Sequence, residues 1–169
     1  LNDSSIFQLA SVSKVITSTA VLMLMERGKI DIEKLVTDYL PDFPYEKITV
    51  KNLLTHRSGL FNYCWSLHSE LYIPGYKMDN ADMYCLIKER NPRPFHKPNR
   101  RFKYSNTNYA LLALIVEKVS GKPFSKFVKE EIFDKVGMRH TTTIDKIDLN
   151  AYNVTKPYDE RWKPVEFDA

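Results

Sequence analysis

Apolar and polar positions along this chain recur with the period of helices far more often than with that of strands. From Val15 to Met25 apolar side chains fall on nearly every face of a helical wheel, so residues 11–27 predict a buried helix. Gly28 ends it, because glycine adopts the left-handed conformation past a helix terminus without a Cβ penalty. Leu35 to Leu40 predicts a short helix stopped before Pro41. Thr49 suits the N-cap of a helix from Val50 to His56, and Ser58-Gly59 supplies the turn that follows. Asp79 or Asn80 caps a helix to about Arg90, and a Pro- and Arg-rich loop from Asn91 to Arg101 leads into Tyr104-Ser105-Asn106. Thr107 to Ser120 is the clearest helix, uncharged from Tyr109 to Val116 and stopped by Gly121, with Pro123 opening another that ends near Gly137. Beyond it the pattern weakens to one short strand near Val154. No repeat or Gly/Ser linker divides residues 1–169, which read as a single, mainly α region.

Composition narrows the class. The chain has 169 residues, and its 9 Phe, 10 Tyr and 2 Trp exclude disorder. A net charge of +4 is too small to imply nucleic acid. The longest strongly apolar run, Ala20 to Met25, is far short of the ~20 residues a membrane span needs. Cys64 and Cys85 lack a second pair, so a zinc knuckle or CxxC site is excluded; they read as buried thiols, or as one disulfide if the protein is exported. His56, His68, His96 and His140 are scattered without a metal-ligand spacing and read as surface or loop residues. Arg93, Lys97, Arg100 and Arg101, interleaved with Phe95 and Phe102, have the composition of a single-strand nucleic-acid grip, but the intervening prolines favour a solvated loop.

Two short patterns carry possible chemistry. In Ser11-Val12-Ser13-Lys14 the serine and lysine share one helix face, where a lysine can activate a hydroxyl that is otherwise a weak nucleophile. In Tyr104-Ser105-Asn106 a phenol able to shuttle protons stands beside an amide able to hold a carbonyl or orient the lysine. With 11 Ser and 17 Lys, about one SxxK match is expected by chance, so neither pattern decides the matter alone.

Their flanks do. The stretch Ile6 to Lys14, with Leu53-Leu54-Thr55-His56-Arg57-Ser58-Gly59-Leu60, Tyr104 to Leu112, Glu117 to Phe124 and Gly137-Met138, resembles in order and spacing the serine β-lactamase-related proteins. That family includes class C β-lactamases, penicillin-binding DD-peptidases and related esterases. The resemblance covers about residues 6–143. It implies Ser11 as acylated nucleophile, Lys14 as its activating partner, Tyr104 as general base and acid, and Asn106 as a substrate-binding residue that also fixes Lys14. The Ser11 N–H would form half of an oxyanion hole. The implied substrates are β-lactams, D-alanyl (peptidoglycan) peptides or esters, without metal or organic cofactor, nucleic acid or membrane span. Export to the periplasm or cell exterior is implied too.

The departures are specific. No Lys- or His-x-Gly third motif follows, since His140-Thr141-Thr142 lacks the glycine. Asn99 stands where the family usually has glycine, a position asparagine tolerates in left-handed geometry. The chain also opens without a Met or a secretory signal. The sequence therefore reads as the helical region of an α+β β-lactamase/transpeptidase-like fold, cut at both ends, with its antiparallel sheet largely missing. A non-catalytic, penicillin-binding-protein-like binding or scaffold protein is the alternative to a serine hydrolase.

Overall fold

A computed structural model describes residues 2–63, 79–148 and 153–164. Their helices are α1 (Lys14–Glu26), α2 (Val50–Leu54), α3 (Asn80–Arg90), α4 (Asn106–Ser120) and α5 (Phe124–Val128), joined by 3-10 turns at Ala10–Ser13, Val36–Asp38 and Ile144–Lys146 and by a π turn at Lys129–Phe133. Among the described residues, β structure amounts to three isolated bridges: Ile6 with Val154, Leu35 with Thr49, and Tyr158 with Pro164. The described residues are mainly α, with little of an antiparallel sheet among them.

The uncharged centre of α4 organises the rest. Leu111, Leu112, Ile115 and Val116 are fully buried, and α1, α2, α3 and α5 all pack on this helix. They contribute Ala20, Val21 and Leu24, then Val50 and Leu53, Met83 and Ile87, and Phe127 and Val128 to one continuous core. Burying each larger apolar side chain contributes about 1.5–3 kcal/mol, so the helices are held by packing more than by local propensity.

Most boundaries follow the capping chemistry. Asp79 Oδ1 accepts the N–H groups of Ala81 and Asp82, and Asn91 closes α3 in left-handed geometry. Thr49 caps α2 through Asn52 N–H, while Asn52 Oδ1 accepts the Thr49 N–H in return. Gly28 and Gly121 end α1 and α4 at φ 68° and 69°.

Four expectations are corrected. The α1 helix is buried along one stripe, Thr17, Ala20, Val21 and Leu24, whereas Val15 is 64% and Leu22 44% exposed. The helices and π turn that pack on α1 lie to one side of it, and none of the described residues covers the other. The 35–40 helix shrinks to the turn Val36–Asp38, because the Val36 N–H turns outward to the Ile48 carbonyl and Asp38 caps Leu35. The 50–56 helix stops at Leu54, since His56 sits at φ 53°. The strand near Val154 is a single parallel bridge, in which Ile6 N–H bonds the Asn153 carbonyl and Thr155 N–H bonds that of Ile6.

The cysteine and histidine readings change as well. Cys85 is a free, exposed thiol on α3, not a buried one, because α3 turns Met83 and Ile87 to the core instead. Cys64 and His68 lie outside the described residues. His56 and His96 are buried in loop positions, His56 bonded through Nδ1 to the Ser105 N–H and His96 through Nδ1 to the Lys97 carbonyl, while His140 is exposed.

Leu111→Ala removes a fully buried side chain from the helix that every other one touches. It is expected to destabilise the full-length protein by about 2–5 kcal/mol, read as a lower denaturant midpoint at unchanged slope.

Candidate active site

The packing of α1 on α4 brings together residues 93 positions apart. Ser11 Oγ lies 2.6 Å from the Tyr104 hydroxyl and accepts a hydrogen bond from Lys14 Nζ at 3.1 Å. Ser11 sits in the 3-10 turn that runs into α1, and Lys14 is the first residue of the helix, so the spacing of three puts both on one side. Ala10, just before, adopts φ 46°, a left-handed geometry that costs an alanine roughly 1–2 kcal/mol. Ser13 Oγ bonds back to the Ala10 carbonyl at 2.6 Å and fixes the turn.

Lys14 is partly buried between two tyrosines. Its Nζ lies 5.0 Å from the ring centroid of Tyr104 and 5.7 Å from that of Tyr109, both within cation–π range. Tyrosine ring faces form its near surroundings. Tyr109 donates its hydroxyl to the Leu54 carbonyl at 3.1 Å and accepts from Ser18 Oγ, so α1, α2 and α4 are pinned one level below Ser11. Ser11 is exposed and Tyr104 40% exposed, which leaves the serine open to a ligand.

Ser105 occupies the N-cap of α4 without capping it. Its buried hydroxyl donates instead to the Phe61 carbonyl at 2.6 Å, tying the Tyr104 segment to the 58–63 stretch. Asn106, the first residue of α4, bonds through its N–H to Asn62 Oδ1 at 3.3 Å, and Thr107 Oγ1 accepts the Tyr63 N–H. All four residues singled out in the sequence thus stand at the facing N-terminal ends of α1 and α4.

Sequence reasoning missed the residues behind them. His56 is buried, its ring 4.6 Å from that of Tyr104 and 5.1 Å from that of Tyr109. Its Nδ1 meets the Ser105 N–H at 3.2 Å and Asn108 Nδ2 at 3.0 Å, and Ser58 Oγ donates to Asn108 Oδ1 at 2.6 Å. Burial, and then the Lys14 charge, hold this imidazole below its usual 6.5. The available signal was positional: His56, Ser58 and Gly59 belong to the same leucine-rich stretch, and Asn108 falls four residues after Tyr104.

The basic loop is organised by the same stretch. Gly59 at φ 79° lies against His96, Phe95 N–H bonds the Gly59 carbonyl, and Asn99 N–H bonds that of Arg57. Asn99 adopts φ 63°, a left-handed geometry that asparagine tolerates, and its Oδ1 accepts from Asn52 Nδ2 at 2.8 Å. Lys103 Nζ covers the Phe95 ring at 3.5 Å. No group of His, Cys, Asp or Glu among the described residues could hold a metal ion.

Comparison with known proteins identifies the family. The beta-lactamase family profile matches residues 1–168, and the chain belongs to that family. Penicillin-binding protein 4* of Bacillus subtilis (strain 168) is 35% identical over 90% of this chain and 35% of its own length. The penicillin-binding protein of Bacillus halodurans superposes with a TM-score of 0.79 at 28% identity, covering 97% of this chain and 50% of its own. The D-amino acid amidase of Ochrobactrum anthropi SV3, solved with L-phenylalanine amide, gives 0.70 at 27% identity, covering 82% and 39%. The chain spans about a third of the length of the curated relatives it matches first.

Two stability outcomes follow. Gly59→Ala drives a Cβ into the His96 carbonyl and should lower the melting temperature strongly, whereas Gly28→Ala, with nothing within 4 Å, should cost only the left-handed penalty of about 1–2 kcal/mol. A lowered folded imidazole contributes stability that is present above pH 6.5 and lost as pH falls through its lower folded value. Thermal unfolding of the wild-type protein should show this step, and His56→Asn should lack it.

Proposed function

We propose that this chain carries the acylation centre of a serine hydrolase acting on β-lactams, D-alanyl peptides or esters. The reading is carried by one observation: Ser11 Oγ stands within hydrogen-bond reach of both Tyr104 OH and Lys14 Nζ. Ser11 is the nucleophile. Tyr104, as its phenolate, takes the Ser11 proton while Oγ attacks the substrate carbonyl, and then returns that proton to the leaving nitrogen or oxygen. The Lys14 ammonium, bonded to Ser11 Oγ and 5.0 Å from the Tyr104 ring centroid, offsets the negative charge that passes between the two residues. Asn106, at the start of α4 beside Tyr104, binds the substrate's amide or carbonyl and helps fix Lys14. Water or another acceptor then releases the acyl group from Ser11.

Three similarities support the class of substrate. Penicillin-binding relatives imply β-lactams and the D-alanyl peptides they imitate, and the amidase neighbour implies small D-amino acid amides. All are carbonyl compounds attacked by one nucleophile, so no metal or organic cofactor enters the proposal. A protein that handles wall peptides works outside the cytoplasm, and we place this one in the periplasm or at the cell exterior.

The test is intact mass of the full-length protein after a fluorophosphonate or a penicillin. A single adduct that disappears in Ser11→Ala is expected, and Tyr104→Phe should slow its formation by roughly 10²–10⁴-fold. Binding of penicillin without an adduct, unchanged in Ser11→Ala, would instead favour a non-catalytic binding protein.

A further inference from the structure

We infer that His56 is the positioning residue of Tyr104, a neutral imidazole whose unprotonated Nδ1 holds the phenol on Ser11 and whose protonation releases it. This rests on the reading of Ser11 and Tyr104 given above. His56 grips the chain on both sides of Tyr104. Its carbonyl accepts the Lys103 N–H at 2.8 Å, and its Nδ1 accepts the Ser105 N–H at 3.2 Å. The imidazole lies against the phenol ring between these two points, with centroids 4.6 Å apart and planes tilted by 34°. Phe102 closes the same ring edge-on at 5.8 Å.

The protonation state is dictated by the partners. A peptide N–H can only donate, so Ser105 requires a lone pair on Nδ1. Asn108 requires the same, because its Oδ1 is taken by the Ser58 hydroxyl and only Nδ2 is left to face the ring at 3.0 Å. Leu60 N–H occupies Ser58 Oγ as an acceptor, which leaves the Ser58 proton to Asn108. The neutral ring therefore carries its proton on Nε2. An imidazolium would set an N–H on Nδ1 against two donors and add a positive charge near Lys14.

Charged and titratable groups face His56 from each element packed against it. Lys14 faces it from α1, Tyr104 from the segment it grips, and Tyr109 from α4. Lys103 turns its ammonium over Phe95, and Arg57 reaches the Asn99 carbonyl. Among the described residues no carboxylate is bonded to His56; of the groups named, the phenolate form of Tyr104 would favour an imidazolium, and burial, the Lys14 charge and the two donors on Nδ1 oppose it. Burial and Lys14 both lower it from 6.5, which puts the loss of Tyr104 positioning on the acid side of that value. His56 itself sits at φ 53°, where a β-carbon is disfavoured, and this geometry presents the carbonyl and the ring to the same segment, residues 103–105.

The experiment is the rate of fluorophosphonate labelling of Ser11 in the full-length protein as a function of pH. Wild type should lose rate as pH falls below 6.5. His56→Ala should be slowed about 100-fold, the scale of a small displacement of a reacting group. His56→Asn offers an acceptor where Nδ1 stood and does not titrate. It should recover to within about tenfold of wild type and lose the acid limb attributed to His56. An acid limb unchanged in His56→Asn, or labelling indifferent to His56→Ala, would overturn the inference and leave the proposed function standing. No labelling of Ser11 in folded wild type would overturn both. Should His56→Ala fail to fold, nitrogen NMR of the wild-type ring decides: an unprotonated Nδ1 at neutral pH is expected, and a protonated one would overturn the assignment.

Discussion

The contact between α1 and α4 is the constraint on which everything else depends. Each helix carries an apolar stripe too long to leave in water, and burying the two against each other aligns their N-terminal ends. Ser11 and Tyr104 meet there because both stand just ahead of the packed segments, while Ser18 and Tyr109 repeat the contact further along. The polar pair at the rim is thus positioned by an apolar seam below it. A side chain on a helix end backed by such a seam has little freedom to drift, which is what close approach of three functional groups requires.

Around this rim the backbone holds unusual geometry. Ala10, His56 and Asn99 all have φ between 46° and 63°. None is a glycine, and each bends the chain where a site residue or its support must be presented. Ala10 turns the chain into Ser11, His56 faces its ring and carbonyl toward the Tyr104 segment, and Asn99 closes the loop that precedes it. Such strain persists when surrounding bonds over-determine it, as the Ser13–Ala10, Lys103–His56 and Asn52–Asn99 hydrogen bonds do here.

Much of the fold was legible in the sequence, and for local reasons. The α3 and α4 boundaries follow from Asp79, Gly121 and an uncharged run, features that act within a few residues of themselves. The family motifs made Ser11, Lys14, Tyr104 and Asn106 candidates, and the family they pointed to is the one the chain belongs to. What failed was the reading of burial. The apolar residues of α1 looked enclosed on all sides, but enclosure depends on what packs nearby, and the described residues cover one side only. His56 read as a surface or loop residue; it is in a turn but buried, because its burial is decided by partners, Ser105 and Asn108, that lie about 50 residues away.

Sequence by itself determined the helices, their caps and the set of chemical groups available, since propensity, capping and periodicity are properties of neighbours along the chain. It also determined the family, because ordered motifs survive as spacing. Only the tertiary structure decided that a phenol 93 residues distant rests on Ser11 and that His56 stands behind it with its Nδ1 facing two donors. Those facts depend on how two apolar helix faces seat against each other, and that seating belongs to the packed core as a whole.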